Sequence, residues 1–425
     1  MIDANFLLTH AGQLTTLTNT TDDRGPRRGP ALAELSIIED GAVAARHGEI
    51  VWVGRTDAVS GHVTLASDAV TIDARGHVVT PGLVDPHTHP VYARSRAHEF
   101  EMRALGKSYQ EIAAAGGGIK NSVAAVREAD LESLVTVARG SADRMLSSGT
   151  TTAEAKSGYG LSTEAELKLL CAIKRVNQEH EIDWVPTVLA AHEFPAEYAD
   201  RPEEYVQLVI DEILPVVADQ QLAEFSDVFF ETGVFNAGQT ERIQAKAAAL
   251  GFGLKFHVDE LSDVGGAELA ARMNGVSADH LEFISNAGVA ALAKSDTIAV
   301  LLPGTAYFLD LQRRPPARRM IDDGVAIAVA TDCNPGSNMT ESMPLAMNQA
   351  CVLYKMTPAE ALTAATINAA WAIRRADRIG TIEAGKACDL VVWATREYRE
   401  IAYHYGVNLA DQVIKNGRLV RGEAS

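Results

Sequence analysis

Four cysteines in 425 residues, Cys171, Cys333, Cys351 and Cys388, stand far apart and form no C-x-x-C pair. Disulfide frameworks and cysteine zinc knuckles need closer spacing, so a metal site in this chain must draw on His, Asp or Glu. Long apolar runs are also missing, and nothing approaches the roughly 18 uninterrupted apolar residues that span a bilayer. Basic residues are outnumbered, with 38 Lys and Arg against 56 Asp and Glu and a formal net charge of -18. That balance argues against a nucleic-acid surface, which displaces counterions with clustered cations. The opening "MIDANFLLTH" carries an acidic residue where a signal peptide carries basic ones, and polar residues soon interrupt it. The chain therefore reads as cytoplasmic. With 47% apolar and 22% charged residues it has an ordinary globular composition, and its length suits one large domain with a smaller one.

The texture along the chain changes twice. Up to about residue 80, short runs rich in Val, Ile and Thr, such as "GEIVWVGR" at 49–56, are punctuated by Gly and Asp in the manner of β-strands, and "NTTDDRGPRRGP" at 19–30 reads as an exposed loop. From about 82, strand-length apolar runs alternate with helix-length periodic segments. The strands are expected at 82–86, 150–155, 184–190, 227–231, 253–258, 276–283, 297–303 and 325–332. One helix is expected to open on Thr163, with Glu166 three residues on completing a capping box. Eight strands interleaved with helices predict a TIM-like (β/α)8 barrel over 81–376, with reactive groups at the C-terminal strand ends. After about 377 the short-strand texture returns, so residues 1–80 and 377–425 are expected to form a small composite β-sandwich domain. The run Gly116-Gly117-Gly118 lacks the G-K-[ST] ending of a phosphate loop and reads better as a lid or turn.

Twelve histidines are present, and His87, His89, His192, His257 and His280 fall at or near the ends of predicted barrel strands. In a strand, residues i and i+2 point to the same side, so His87 and His89 can face one cation together. An H-x-H pair alone is equally at home on a solvated strand end. His257, however, ends the apolar run "GLKF" and Asp332 ends "VAIAVAT", and unpaired polar groups in a barrel mouth cost free energy unless hydrogen bonds or a metal satisfy them. Three imidazoles and one carboxylate suit Zn2+ or iron rather than Ca2+ or Mg2+. A water completing that shell gives hydroxide at neutral pH, so the expected chemistry is hydrolysis.

These residues resemble the amidohydrolase superfamily of metal-dependent hydrolases along essentially the whole chain. The marks are "PGLVDPHTH", the histidines of "KFHVDE" and "SADHLEF", and the aspartate of "ATDCNPGS". Within the superfamily, "HEFEMRALGKSYQEIAAAGGGI", "AKSGYGL" and "AAHEFP" are similar to the members that open 4-imidazolone-5-propanoate to N-formimidoyl-L-glutamate in histidine degradation. The resemblance implies one Zn2+ or Fe2+/Fe3+ per subunit on His87, His89, His257 and Asp332, a small anionic substrate and a homodimer. It further implies that Glu260 and His280 assist the chemistry and that Arg96, Tyr159, His192, Asn334, Gly336 and Ser337 line the substrate, with Glu260 also in contact.

Physical chemistry gives these assignments content. A guanidinium clamps a carboxylate through two parallel bonds, so Arg96 is the expected anchor for the propionate, with Tyr159 and Tyr109 as further donors; the competing reading of Arg96 is a surface ion pair. Glu260 is placed to shuttle protons, His280 to polarise the carbonyl or orient the water, and Asp332 to take the water's proton, and the sequence leaves their division of labour open. His192 either bonds the imidazolone ring or is a core histidine. The fourth strand, "DVFFETGVF", has no lysine to bridge two metals, and Lys156 lies out of place for that role, so one metal is expected and Glu231 is read as a supporting carboxylate. His98 and His404 read as ordinary surface or packing residues. Two rivals stand: a deaminase acting on a purine or pyrimidine-type ring, and a non-catalytic scaffold, although scaffolds typically lose metal ligands.

Overall fold

The computed structural model describes residues 1–18, 25–107, 111 and 116–423. The N-terminal strands are β1 (Ile2–Thr15), β2 (Ile37–Arg46), β3 (Glu49–Arg55), β4 (Val63–Asp73) and β5 (Val78–Pro81). They join three strands from the other end of the chain in one mixed eight-stranded sheet. Its order places the C-terminal strands beside β5, through antiparallel pairs such as Leu390 with Pro81 and Val392 with Val79. Phe6, Leu14, Val43, Ile50, Val79, Leu390, Val392 and Ile414 share one buried core. Neither terminus can bury its apolar face without the other, which accounts for their matching texture.

β5 runs through Gly82 directly into the barrel. Gly82 packs so closely on Thr151 that a methyl group there would collide with its side chain. The barrel strands are β6 (Leu83–Asp85), β7 (Thr150–Lys156), β8 (Asp183–Ala191), β9 (Phe225–Phe230), β10 (Gly253–Val258), β11 (Ser277–His280), β12 (Ile298–Leu301) and β13 (Ile327–Val329), all parallel and paired in chain order. The three C-terminal strands of the mixed sheet follow as β14 (Leu390–Trp393), β15 (Ala410–Lys415) and β16 (Arg418–Arg421). Each of the eight expected barrel strands is present, with ends shifted by a few residues. Closure between β13 and β6 is slight. It rests on one bridge, Thr88 with Cys333, framed by bonds from His89 N to Cys333 O at 2.8 Å and from Asp332 N to His87 O at 3.1 Å.

The helix Thr163–Glu179 corrects one expectation. Its cap is Ser162, whose side chain accepts from Ala165 N, and Thr163 is the first helical residue. Glu166 does not turn back to the cap. Its carboxylate accepts backbone N–H bonds from Gly158 (3.1 Å), Gly160 (2.8 Å) and Leu161 (2.9 Å), because the β7 loop ahead of it has more unpaired donors to offer than the helix end. Gly118 precedes the helix Ile119–Glu128 and donates its N–H to Glu99. Tyr109 and part of the 19–30 loop lie outside the described residues. Among the described residues no helix is long and apolar enough to cross a membrane.

Candidate metal centre and substrate wall

The barrel strands deliver the expected ligands to one point. His87 and His89 follow β6, His257 lies in β10 and Asp332 follows β13. His87 Nε2 and His89 Nε2 are 3.3 Å apart, His89 Nε2 and His257 Nε2 3.4 Å, and Asp332 Oδ1 lies 3.6 Å from both His87 Nε2 and His89 Nε2. Four ligands held about 2.1 Å from a tetrahedral ion are spaced by about 3.4 Å. Four of the six spacings in this donor set therefore fit a first-row transition ion, as does the chemistry of the donors. His280 offers a ring nitrogen within 4.8 Å of those of His87 and His257, beside this cluster.

Three of the four donor side chains are held from behind, while His89 Nδ1 is buried without a partner. Asp332 Oδ2 accepts from Thr305 Oγ1 at 2.6 Å and Ser337 Oγ at 2.8 Å, while Oδ1 is buried without a donor. Ser337, expected against the substrate, is thus engaged with a ligand carboxylate. His87 Nδ1 bonds Asp279 Oδ2 at 2.6 Å, and His257 Nδ1 lies 2.9 Å from Asp227 Oδ2. Carboxylates on the far nitrogens turn Nε2 toward an ion. The backbone cooperates at some cost: Asp259, His280, Leu281 and Asp332 take φ of 53°, 81°, 72° and 52°, a region that bulky L-residues avoid.

Burial sets the protonation of His87 and His89. It pushes their imidazoles well below the ordinary histidine range, aided at His87 by Lys156 and at His89 by His192, so both are neutral and able to ligate. At His257 burial is outweighed by the Asp227 carboxylate, and the imidazole is raised. Burial lifts Asp332 to about 6 against the pull of Thr305 and Ser337. Glu260 rises to about 8, through burial first and the Asp332 charge second, and its Oε2 is 3.8 Å from His280 Nε2. His192 is pushed down to about 3 by burial and then His257; its Nδ1 bonds Gly158 O at 3.0 Å, leaving Nε2 as an acceptor.

Beyond the ligands the remaining expected residues form a continuous wall. The His192 and His89 rings stack at 5.3 Å, and Tyr159 lies 5.9 Å from His89 and 5.6 Å from His192. Tyr159 donates its hydroxyl to Asn334 Oδ1 at 2.9 Å, which also takes the N–H of Gly336 at 2.8 Å. Gly336 leaves room for Arg96, since a methyl group there would strike Arg96 Nη1. Arg96 forms an ion pair with Glu99 at 2.6 Å, and the two side chains are only 10% and 1% exposed, so it is no surface pair. Glu231 supports the loop after β10 by accepting from Leu261 N at 2.8 Å and from the Ser262 hydroxyl. His98 and His404 are exposed.

Sequence reasoning missed Thr305, Asp227, Asp279 and the use made of Lys156. A signal was present for the aspartates: each sits inside a strand buried at all or all but one of its positions, where an unpaired carboxylate is too costly to keep.

The family model described as "Amidohydrolase family" matches residues 78–420. Among solved structures, 5-methylcytosine deaminase from Klebsiella pneumoniae superposes with a TM-score of 0.74 at 15% identity, covering 98% of each chain, and guanine deaminase from E. coli with 0.72 at 16%, covering 98% of this chain and 99% of that one. At that identity they speak for the fold alone. The relative from Geobacillus kaustophilus (strain HTA426), named imidazolonepropionase, is 49% identical over 411 residues, 96% of both chains. The one from Symbiobacterium thermophilum, of the same name, is 46% identical over 424 residues, covering 100% of this chain and 99% of its own. With the barrel, the His and Asp donor set and this whole-length identity in agreement, the chain belongs to the imidazolonepropionases, metal-dependent hydrolases of the amidohydrolase family.

Proposed function

We propose that this site hydrolyses the ring amide of 4-imidazolone-5-propanoate to N-formimidoyl-L-glutamate, using one Zn2+ or iron ion on His87, His89, His257 and Asp332. The observation that carries the reading is the junction of this donor set with a buried arginine through Tyr159, Asn334 and Gly336. When bound, such an ion lowers the pKa of its water toward 7 and polarises a carbonyl. The three-imidazole, one-carboxylate set accepts either metal, so availability decides which is taken up.

The chain's own residues do the rest. Water adds across the ring C–N bond: its hydroxyl goes to the carbonyl carbon and its proton to the departing ring nitrogen. Asp332 Oδ1, free of hydrogen-bond donors, is placed to take the water's proton. Burial favours the protonated form of Glu260, so it is placed to supply a proton to the ring nitrogen, with His280 3.8 Å away. His192 offers Nε2 to a ring N–H. Arg96 clamps the propionate, exchanging part of its pairing with Glu99 for the substrate.

A neutral purine or pyrimidine would leave that arginine unused. The deciding experiment is turnover of imidazolone propionate, followed by loss of ring absorbance, with ammonia assayed in parallel. Ring loss without ammonia is expected, and steady ammonia from a purine or pyrimidine would overturn the proposal. Arg96→Ala should raise KM about tenfold to a hundredfold, the loss of a charge-assisted bond, with metal content unchanged. An unaltered KM would remove Arg96 from the carboxylate subsite.

A further inference from the structure

Beneath the histidines, inside the barrel, lie five ionisable side chains that no step above uses. They are Glu154 and Lys156 of β7, Asp227 of β9, Lys255 of β10 and Asp279 of β11, each exposed by 1% or less. Barrel interiors are usually filled with branched apolar side chains, and a buried charge that lacks a partner is strongly destabilising. The arrangement of these five is not symmetrical. Lys255 Nζ goes to the backbone carbonyls of Pro86 (3.0 Å) and Ala372 (3.3 Å) and lies 3.4 Å from Glu154. Lys156 is the hub. Its Nζ donates to Asp227 Oδ2 at 2.7 Å and to Glu154 Oε1 at 2.8 Å, and lies 3.8 Å from Asp279 Oδ2.

Those two aspartate oxygens are the ones that face the imidazoles. Asp227 Oδ2 is 2.9 Å from His257 Nδ1, and Asp279 Oδ2 is 2.6 Å from His87 Nδ1. One ammonium on β7 therefore reaches carboxylates on β9 and β11, of which Asp279 hydrogen-bonds the far nitrogen of His87 and Asp227 lies in ion-pair contact with that of His257. His89 has no such arm: its Nδ1 is buried, with neither a hydrogen-bond partner nor an ion-paired carboxylate. Two of the three imidazoles are thus tied to a single side chain, out of ligating reach itself.

We propose that Lys156 is a positioning residue for the metal centre: by pinning Asp227 and Asp279 it fixes His257 and His87 together, and so sets the affinity for the ion. This rests on the reading of His87, His89, His257 and Asp332 as ligands. Loss of a partner behind a ligating histidine typically weakens metal binding 10- to 100-fold. Lys156 serves two histidines at once, so its removal is expected at the upper end of that range.

The test is Zn2+ affinity of the full chain, measured by competition with a chromogenic chelator, alongside circular dichroism and gel filtration. Lys156→Met, similar in length and uncharged, should fold yet bind Zn2+ about a hundredfold more weakly, and Asp227→Asn and Asp279→Asn should each weaken binding about tenfold or more. Because the lysine acts through the aspartates, Lys156→Met combined with Asp279→Asn should lose little more than Lys156→Met alone. A lysine that merely fills the barrel would lower the melting temperature and leave Zn2+ affinity unchanged, which would overturn the proposal. Losses that multiply in the double variant would overturn it equally. If Lys156→Met does not fold, the two asparagine variants still decide, since wild-type affinity in both sinks the idea. Wild-type protein that binds no Zn2+ would instead overturn the ligand reading itself.

Discussion

Asp85 closes β6 two residues before His87 and is wholly buried. Its carboxylate accepts from Thr331 N at 3.1 Å and Thr331 Oγ1 at 2.5 Å, tying β6 to the end of β13. Those bonds favour the charged form, but burial outweighs them and pushes the group up to about 7. The sign of the effect on stability follows. An unfolded Asp85 releases its proton near pH 4, the folded one near 7, so between these values the native state binds more protons and stability falls as pH rises, by up to about 1.4 kcal/mol per pH unit. Asp85→Asn has no proton to lose. Its stability relative to wild type should improve steadily from about pH 4 to 7 and then level off, read by urea unfolding at a series of pH values. A gap independent of pH would mean that Asp85 is ionised throughout. At this scale the sequence was informative wherever a polar residue ended an apolar run, as at His87, His257 and Asp332. It marked Asp227 and Asp279 only as carboxylates in buried strands and named no partner for them or for Asp85, because those partners lie far off in sequence: Thr331 for Asp85, Lys156 for Asp227 and His87 for Asp279.

The helix Thr163–Glu179 shows how an element serves the site without touching it. Apolar periodicity located the helix, yet its cap was misplaced by one residue, because Ser162 and Thr163 are chemically alike and only backbone geometry separates a cap from a first turn. With the cap reassigned, Glu166 is free to hold the turn from Gly158 to Leu161, which carries Tyr159. Gly160 fits there because any side chain would run into the backbone of Ala165 and Glu166. Glu166→Ala would strand three backbone N–H groups in a buried turn, each costing about 1–3 kcal/mol when unpaired, before relaxation or water recovers part of the loss. Net destabilisation of about 2 kcal/mol or more is expected, together with a higher KM as Tyr159 and its bond to Asn334 loosen. Thermal unfolding and steady-state kinetics check the two halves. Lost stability with unchanged KM would show that the Tyr159 loop does not depend on this carboxylate.

Over the whole molecule, the proposed metal donors span the place where the barrel is least secured. Most neighbouring strands share ladders of three to six paired residues, such as Gly253–Val258 of β10 against β9. β6 and β13 meet only through the Thr88–Cys333 bridge and the few bonds around it. His87 and His89 lie on one side of that seam and Asp332 on the other, so an ion held as proposed would also fasten the barrel shut. The mixed sheet reinforces one side, since β14 clamps β5 and β5 leads straight into β6. Strand texture announced both sheets, but no periodicity reveals which pair of strands is weakly joined, because that depends on how the twisted sheet meets itself. Metal binding should therefore stabilise the protein unevenly. Chelation is expected to speed amide hydrogen exchange severalfold in residues 83–90 and 327–334, and to change residues 183–191 and 225–230 of β8 and β9 little, because locally opening segments exchange ahead of the global transition. Hydrogen exchange read by mass spectrometry on metal-loaded and chelated protein distinguishes the cases. A uniform rise across all eight strands would show that the ion stabilises the barrel as one unit, and no rise at the seam would show that the backbone bonds at Thr88 and Cys333 close it unaided.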